Sequence, residues 1–153
     1  MTQTVNVRIA TRDDIDSIVE FQLTMAWETE SLVLSGETVG RGVAGVFEAE
    51  GRGLYYVAEV DGKVVASLLT TYEWSDWRNG TILWIQSVFV KPEFRRRGIY
   101  SAMYHFLREK VTDDDAIKGI RLYVDKTNHN AYKTYSSLGM NGEHYLTFEW
   151  MKP

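Results

Sequence analysis

The hydrophobic pattern changes period along the chain, and each change marks an element. Val5, Val7 and Ile9 alternate with polar residues, which predicts a short first strand. Thr11-Arg12-Asp13-Asp14 is a Ser/Thr-x-x-acid helix start. Ile15, Ile18, Val19, Met25 and Ala26 then form a helical stripe that fades near Trp27 to Glu30. A second helix is predicted from about Glu37 to Glu50, with Val39, Val43, Val46 and Phe47 as its apolar face and Gly51 as its stop. Glycines at 40, 42 and 45 lower its intrinsic propensity.

Leu54–Val60 and Lys63–Tyr72 read as strands joined by Asp61-Gly62, a strong hairpin signal. Glu73 to Gly80 is a second turn region, ending in Asn79-Gly80. The apolar run from Ile82 to Val90 suits a strand buried on both faces, and Pro92 stops it. After Gly98 the period becomes helical, with Ile99, Ala102, Met103, Phe106, Leu107 and Val111 on one stripe. Lys118–Asp125 alternates again through Ile120, Leu122 and Val124. Asn128 is a good N-cap for a helix carrying Ala131, Tyr135 and Leu138 and ending at Gly139. Tyr145–Met151 reads as a last strand.

A strand-helix-strand crossover around the basic turn implies a parallel pair, right-handed by rule, within an otherwise antiparallel sheet. The predicted fold is α/β: a mixed, mostly antiparallel central sheet of about six to seven strands with helices on both faces. With 153 residues and no linker or repeat, residues 1–153 are expected to form one domain.

Composition narrows the function classes. A formal net charge of −4 argues against a general nucleic-acid binder. The absence of cysteine excludes disulfides and a thiol nucleophile, and His105, His129 and His144 lack metal-ligand spacing, so no metal is expected. No signal peptide or bilayer-length apolar run stands out, so a cytoplasmic protein without a membrane partner is expected. Aromatics reach 13%, and Tyr72, Trp74, Trp77 and Trp84 fall close together. Cross-strand packing is the plain explanation, and an aromatic wall beside a ligand the sharper one.

Chemistry concentrates where the long strand passes through Arg95-Arg96-Arg97-Gly98 into a helix. A helix N-terminus leaves N–H groups without intrahelical acceptors, and the helix dipole favours negative charge there. A bare basic loop would read as a solvated surface. Its place between a buried strand and a helix start makes it an anion-binding device instead.

Arg95-Arg96-Arg97-Gly98-Ile99-Tyr100 in this setting resembles the acetyl-CoA signature of the GCN5-related N-acetyltransferases (GNAT), (Arg/Gln)-x-x-Gly-x-(Gly/Ala). Asn128-x-x-Ala131-x-x-x-Tyr135-x-x-Leu138-Gly139-Met140 resembles the family's second motif. The resemblance implies a GNAT-like fold and acetyl-CoA as cofactor. Arg95, Arg96, Arg97, Gly98, Ile99, Tyr100 and Ser101 would meet the pyrophosphate. The backbone of Val88, Phe89 and Val90 would hold the pantetheine arm, and Asn128 and Ala131 would complete the cofactor site. Tyr100 departs from the pattern, standing where the family has a small residue.

The resemblance further implies acetyl transfer to a primary amine of a small molecule by direct attack, with Tyr135 as the acid that protonates the leaving thiolate. Periodicity alone would make Tyr135 a core aromatic. Diamine-acetylating relatives place a glutamate, followed by another acid, where this chain has Gln86-Ser87. Gln86 cannot take a proton, so it is assigned an orienting role. Base candidates are Glu28, Glu30, Glu73 and Asp76; a water relay, or an amine already neutral enough to attack, is equally open. Trp27, Glu28, Glu30, Trp74 and Trp84, with Trp77 nearby, would make an acidic and aromatic acceptor pocket if they converge. The alternatives are a protein or peptide N-acetyltransferase and a non-catalytic acyl-CoA-binding regulatory module. The last strand, Tyr145–Met151, offers an edge for a homodimer.

Overall fold

The computed structural model describes residues 3–153 and divides them into two compact units, one running to Arg121 and the other from Leu122 to Pro153. In the first unit the strand and helix periods read from the sequence become β1 (Val5–Ile9), α1 (Ile15–Glu30), α2 (Gly36–Glu48), β2 (Leu54–Val60), β3 (Lys63–Ser75), β4 (Gly80–Val90) and α3 (Ile99–Asp113). Next comes β5 (Ile117–Leu122), whose last residue begins the second unit, and then α4 (His129–Ser137).

The sheet has the order β1-β2-β3-β4-β5, with β1 to β4 antiparallel in succession. β5 begins beside the start of β4: Thr81 N–H donates to the Ala116 carbonyl at 2.9 Å, and Gly119 faces Ile82. The two strands therefore run parallel, as the α3 crossover requires. Gly80 allows this approach, because a Cβ there would lie 2.6 Å from the Lys118 side chain and 2.9 Å from the Ala116 carbonyl.

Among the described residues the sheet has five strands, and the six to seven expected are not found. Residues 145–151 carry no strand assignment, although their composition suits one. An alternating segment becomes a strand only where a neighbouring edge supplies backbone hydrogen bonds.

Helices α1 and α2 share a core with one face of the sheet, where Ile18 and Val43 meet Tyr55, Val57 and Leu69. Phe21 of α1 stacks on Phe89 of β4 at 5.0 Å. On the other face, Phe106 of α3 packs edge-on against Tyr56. The start of α1 is held by a buried carboxylate. Asp14 accepts from the Thr11 N–H at 2.7 Å and from Arg8 at 2.8 and 2.9 Å, and Arg8 also pairs with Glu59 of β2. The helix cap is thereby tied to the first two strands, and Arg8 holds the Asp14 carboxyl below the usual carboxylate range.

Helix α2 forms despite its glycines because it is capped and amphipathic. The Ser35 hydroxyl accepts from the Thr38 N–H at 3.2 Å, and Val43 is buried beneath the helix.

Candidate active site

The site grows from an irregularity in β4. Pairing with β3 runs evenly from Gly80 to Gln86, which lies opposite Leu69, and resumes with Phe89 opposite Ser67. Ser87 and Val88 thus face one residue of β3, a bulge, and Ser87 is left-handed at φ 55°. The extra residue shifts the alternation, so Ile82, Trp84, Gln86 and Phe89 all lie on the α1 side. The stacking of Phe89 on Phe21 fixes that side. A bulge also frees backbone polar groups from the ladder and re-aims them. Nothing in the strand's apolar composition announced it; a serine, poor in strands, was its one trace.

Beyond Val90 the chain turns through a short helical turn at Pro92–Phe94 and a loop with left-handed residues at Arg96 (φ 62°) and Gly98 (φ 76°). Such alternation curls successive N–H groups toward one concave side. The first helical bond of α3, Ala102 N–H to the Gly98 carbonyl at 3.0 Å, puts the mouth of the helix at residues 99–101. Here the residues fit a pyrophosphate: left-handed loop backbone, a 15-residue helix aimed N-terminus first, and the exposed guanidinium of Arg96. Tyr100 lies against Tyr104 one turn further on, with ring centres 6.4 Å apart. Its ring is thus drawn along the helix rather than across its mouth.

The three arginines are not equivalent. Arg97 lies over the Phe94 ring at 5.4 Å. Arg95 donates from Nε to the Val90 carbonyl at 2.8 Å, covers the Phe89 ring at 5.5 Å and pairs with Glu28 at 2.7 Å. It therefore ties the last turn of α1 to the end of β4. The resemblance placed Arg95 against phosphate and the acidic-pocket reading placed Glu28 against an amine; the structure pairs them with each other.

The acceptor candidates also separate. Trp84 donates from Nε1 to Glu73 at 2.8 Å, and Arg121 of β5 donates to both Glu73 oxygens at 2.9 and 2.8 Å. This cluster crosses β3, β4 and β5 on the α1 side, in line with Gln86. Trp84 and then Arg121 hold the Glu73 carboxyl below its usual range. Trp74 alternates with Glu73 along β3 and so projects from the opposite face, 65% exposed. Trp77 is at the exposed hairpin tip, and Trp27 and Glu30 are exposed at the end of α1. Sequence reasoning did not single out Arg121. In the sequence Arg121 falls on the face opposite Ile120, Leu122 and Val124, so alternation read it as an ordinary solvated charge.

In the second unit Asp125 accepts from the Thr127 N–H and hydroxyl, shaping the turn into α4. Asn128 caps that helix, its Oδ1 accepting from the Ala131 N–H at 3.1 Å. Its side-chain N–H₂ is the remaining donor group. Burial pushes the Tyr135 phenol above its usual value, keeping it protonated at neutral pH. Among the described residues no cluster of His, Asp and Glu could hold a metal ion, and no helix is long and apolar enough to cross a membrane.

Comparison with known proteins agrees with this geometry. A possible acetyltransferase from Clostridium difficile 630 has a solved structure that is 42% identical, with a TM-score of 0.90 over 97% of this chain and 98% of its own. Aminoglycoside N-acetyltransferase AAC(6')-Iy, solved in complex with CoA, shares the fold at 13% identity and a TM-score of 0.77 over 100% of this chain and 98% of its own. N-alpha-acetyltransferase 60 of Xenopus tropicalis is 26% identical over 93% of this chain, which spans only 62% of that relative's length. The acetyltransferase (GNAT) family model matches residues 14–140, from the helix cap at Asp14 through the β4 bulge and the α3 mouth to the end of α4. On that match and this site, the chain belongs to the GNAT acetyltransferases, which use acetyl-CoA.

Proposed function

We propose that the chain transfers the acetyl group of acetyl-CoA to a primary amine of a small molecule by direct attack, with both units acting as one GNAT domain. The observation that carries this reading is the bulged end of β4 leading into the left-handed loop and the mouth of α3. Acetyl-CoA supplies an activated thioester when bound. Residues 96–101 hold its pyrophosphate through backbone N–H groups. The backbone of Val88, Phe89 and Val90 offers hydrogen bonds to the pantetheine arm, although Arg95 already engages the Val90 carbonyl. Asn128 and Ala131, at the start of α4, complete the cofactor site.

Gln86 is half-buried on the α1 side and orients the amine or the thioester carbonyl. Tyr135 gives its phenolic proton to the leaving thiolate; its raised pKa keeps that proton in place until the thiolate departs, although it makes the phenol a weaker acid than a free tyrosine. Glu73 does not act as the base, because a carboxylate held low by two donors is a weak proton acceptor. It instead fixes Trp84 and Arg121 as walls of the acceptor side. Without an internal carboxylate poised to deprotonate it, the amine loses its proton to water.

A peptide or protein N-terminus is the second reading, favoured by the likeness to N-alpha-acetyltransferase 60. A cytoplasmic location and a homodimer belong to the same proposal. Thiol release from acetyl-CoA, measured with small amines, aminoglycosides and peptides, tests it. Turnover with a small amine is expected. Turnover with peptides alone would favour the second reading. CoA binding without turnover on any acceptor would contradict catalysis and leave a binding module.

A further inference from the structure

One side chain of the first unit is engaged where the cofactor is expected. Arg95 donates from Nε to the Val90 carbonyl at 2.8 Å, lies 5.5 Å from the Phe89 ring centre and pairs with Glu28 at 2.7 Å. That carbonyl is not a rung of the β3–β4 ladder. Lys91 N–H donates to the Val65 carbonyl of β3, and successive residues of a strand turn their backbone groups to opposite sides. The Val90 N–H and carbonyl therefore point away from β3, the side on which the pantetheine arm would pair. An arginine Nε–H and an amide N–H of that arm are equivalent donors to one carbonyl. Arg95 thus fills, from within the chain, a place offered to the cofactor.

We propose that Arg95 is a latch that the cofactor displaces: the pantetheine arm takes the Val90 carbonyl, Arg95 leaves it, and the Glu28 carboxylate is released at the end of α1. The inference rests on the acetyl-transfer reading for the course of the arm. The latch itself rests on contacts within the first unit. Arg95 and Glu28 are 67 residues apart, so their bond joins α1 to the end of β4 rather than closing a local turn.

The energetics favour displacement. An ion pair between two long, flexible side chains is weak, whereas the cofactor is held along its length by backbone donors and a helix mouth. Arg95 is also dispensable for the pyrophosphate, because the loop N–H groups and Arg96 follow it in the chain. The released Glu28 adds a negative charge on the α1 side once the cofactor is seated. An ammonium group arriving second then meets a docking charge that the free protein keeps neutralised.

Calorimetric titration of CoA into wild type, Glu28→Gln, Arg95→Ala and the double variant reads the latch. If the pair breaks on binding, Glu28→Gln should tighten CoA about 3- to 5-fold in the wild-type background, the scale of one such ion pair. In the Arg95→Ala background the same change should do nothing, since no latch is left to open. An equal gain in both backgrounds would mean that Glu28 merely repels the phosphates, and it overturns the latch. No gain in the wild-type background would mean that the pair persists in the complex, and overturns it too. A direct readout is the Arg95 Nε–H resonance, identified by its loss in Arg95→Ala. It should be protected from exchange in the free protein and lose that protection on CoA addition; unchanged protection contradicts displacement. Failure of wild type to bind CoA would sink the cradle and the latch together. Intact wild-type binding with a failed cycle would sink the latch alone and leave acetyl transfer standing.

Discussion

Ser87 holds a left-handed conformation that most side chains avoid, and it does so where β4 must free its backbone. Ser87→Gly should therefore keep both fold and turnover. Ser87→Val, whose branched side chain resists this conformation, should lower kcat about 10-fold and destabilise by about 1–2 kcal/mol; steady-state kinetics beside thermal melting checks this. Glu73 is the other decisive residue. If it positions Trp84 and Arg121, Glu73→Gln should raise acceptor KM several-fold while leaving CoA affinity and the acid limb of the pH–rate profile in place. A base would show the opposite, with kcat falling and that limb lost. Asp14 carries stability rather than chemistry. Its folded pKa is depressed, so its contribution is full above the unfolded value of about 4 and is lost as pH falls through the lower folded value. The stability gap between wild type and Asp14→Asn should be wide at pH 7 and narrow below about pH 4, measured by urea unfolding.

At the scale of elements, period and punctuation were legible: the Asp61-Gly62 hairpin, the Thr11–Asp14 cap and the Gly98 helix start all stand where the sequence placed them. The bulge was not legible, because the residue that makes it left-handed is an ordinary serine within an apolar run. The acidic and aromatic residues of the stretch from Glu73 to Trp84 do not all share one face, since sequence proximity says nothing about sheet faces. Trp74 and Glu73 are neighbours in the chain and project from opposite sides. Arg95 and Glu28, far apart in sequence, form one ion pair. Helix α2 exposes a correctable weakness. A Cβ at Gly42 would meet nothing within 4 Å, so Gly42→Ala should stabilise by up to about 1 kcal/mol, raising the melting temperature by a few degrees without altering turnover.

For the whole molecule, the predicted last strand shows how far pattern alone reaches. Leu146, Phe148 and Trp150 alternate as a strand should, yet residues 145–151 carry no strand assignment, because alternation supplies a face but not a pairing partner. The cofactor site is less ambiguous, since bulge, loop and helix mouth are continuous in one stretch of chain. Direct titration of CoA into wild type and Gly98→Val tests that assignment. Gly98 is left-handed at φ 76°, and valine there would straighten the loop while α3 and the sheet stay folded. Binding to wild type, weakened at least about 10-fold in Gly98→Val with an unchanged circular dichroism spectrum, is the expected result. Equal affinity in the two proteins would contradict a cofactor cradle at the mouth of α3.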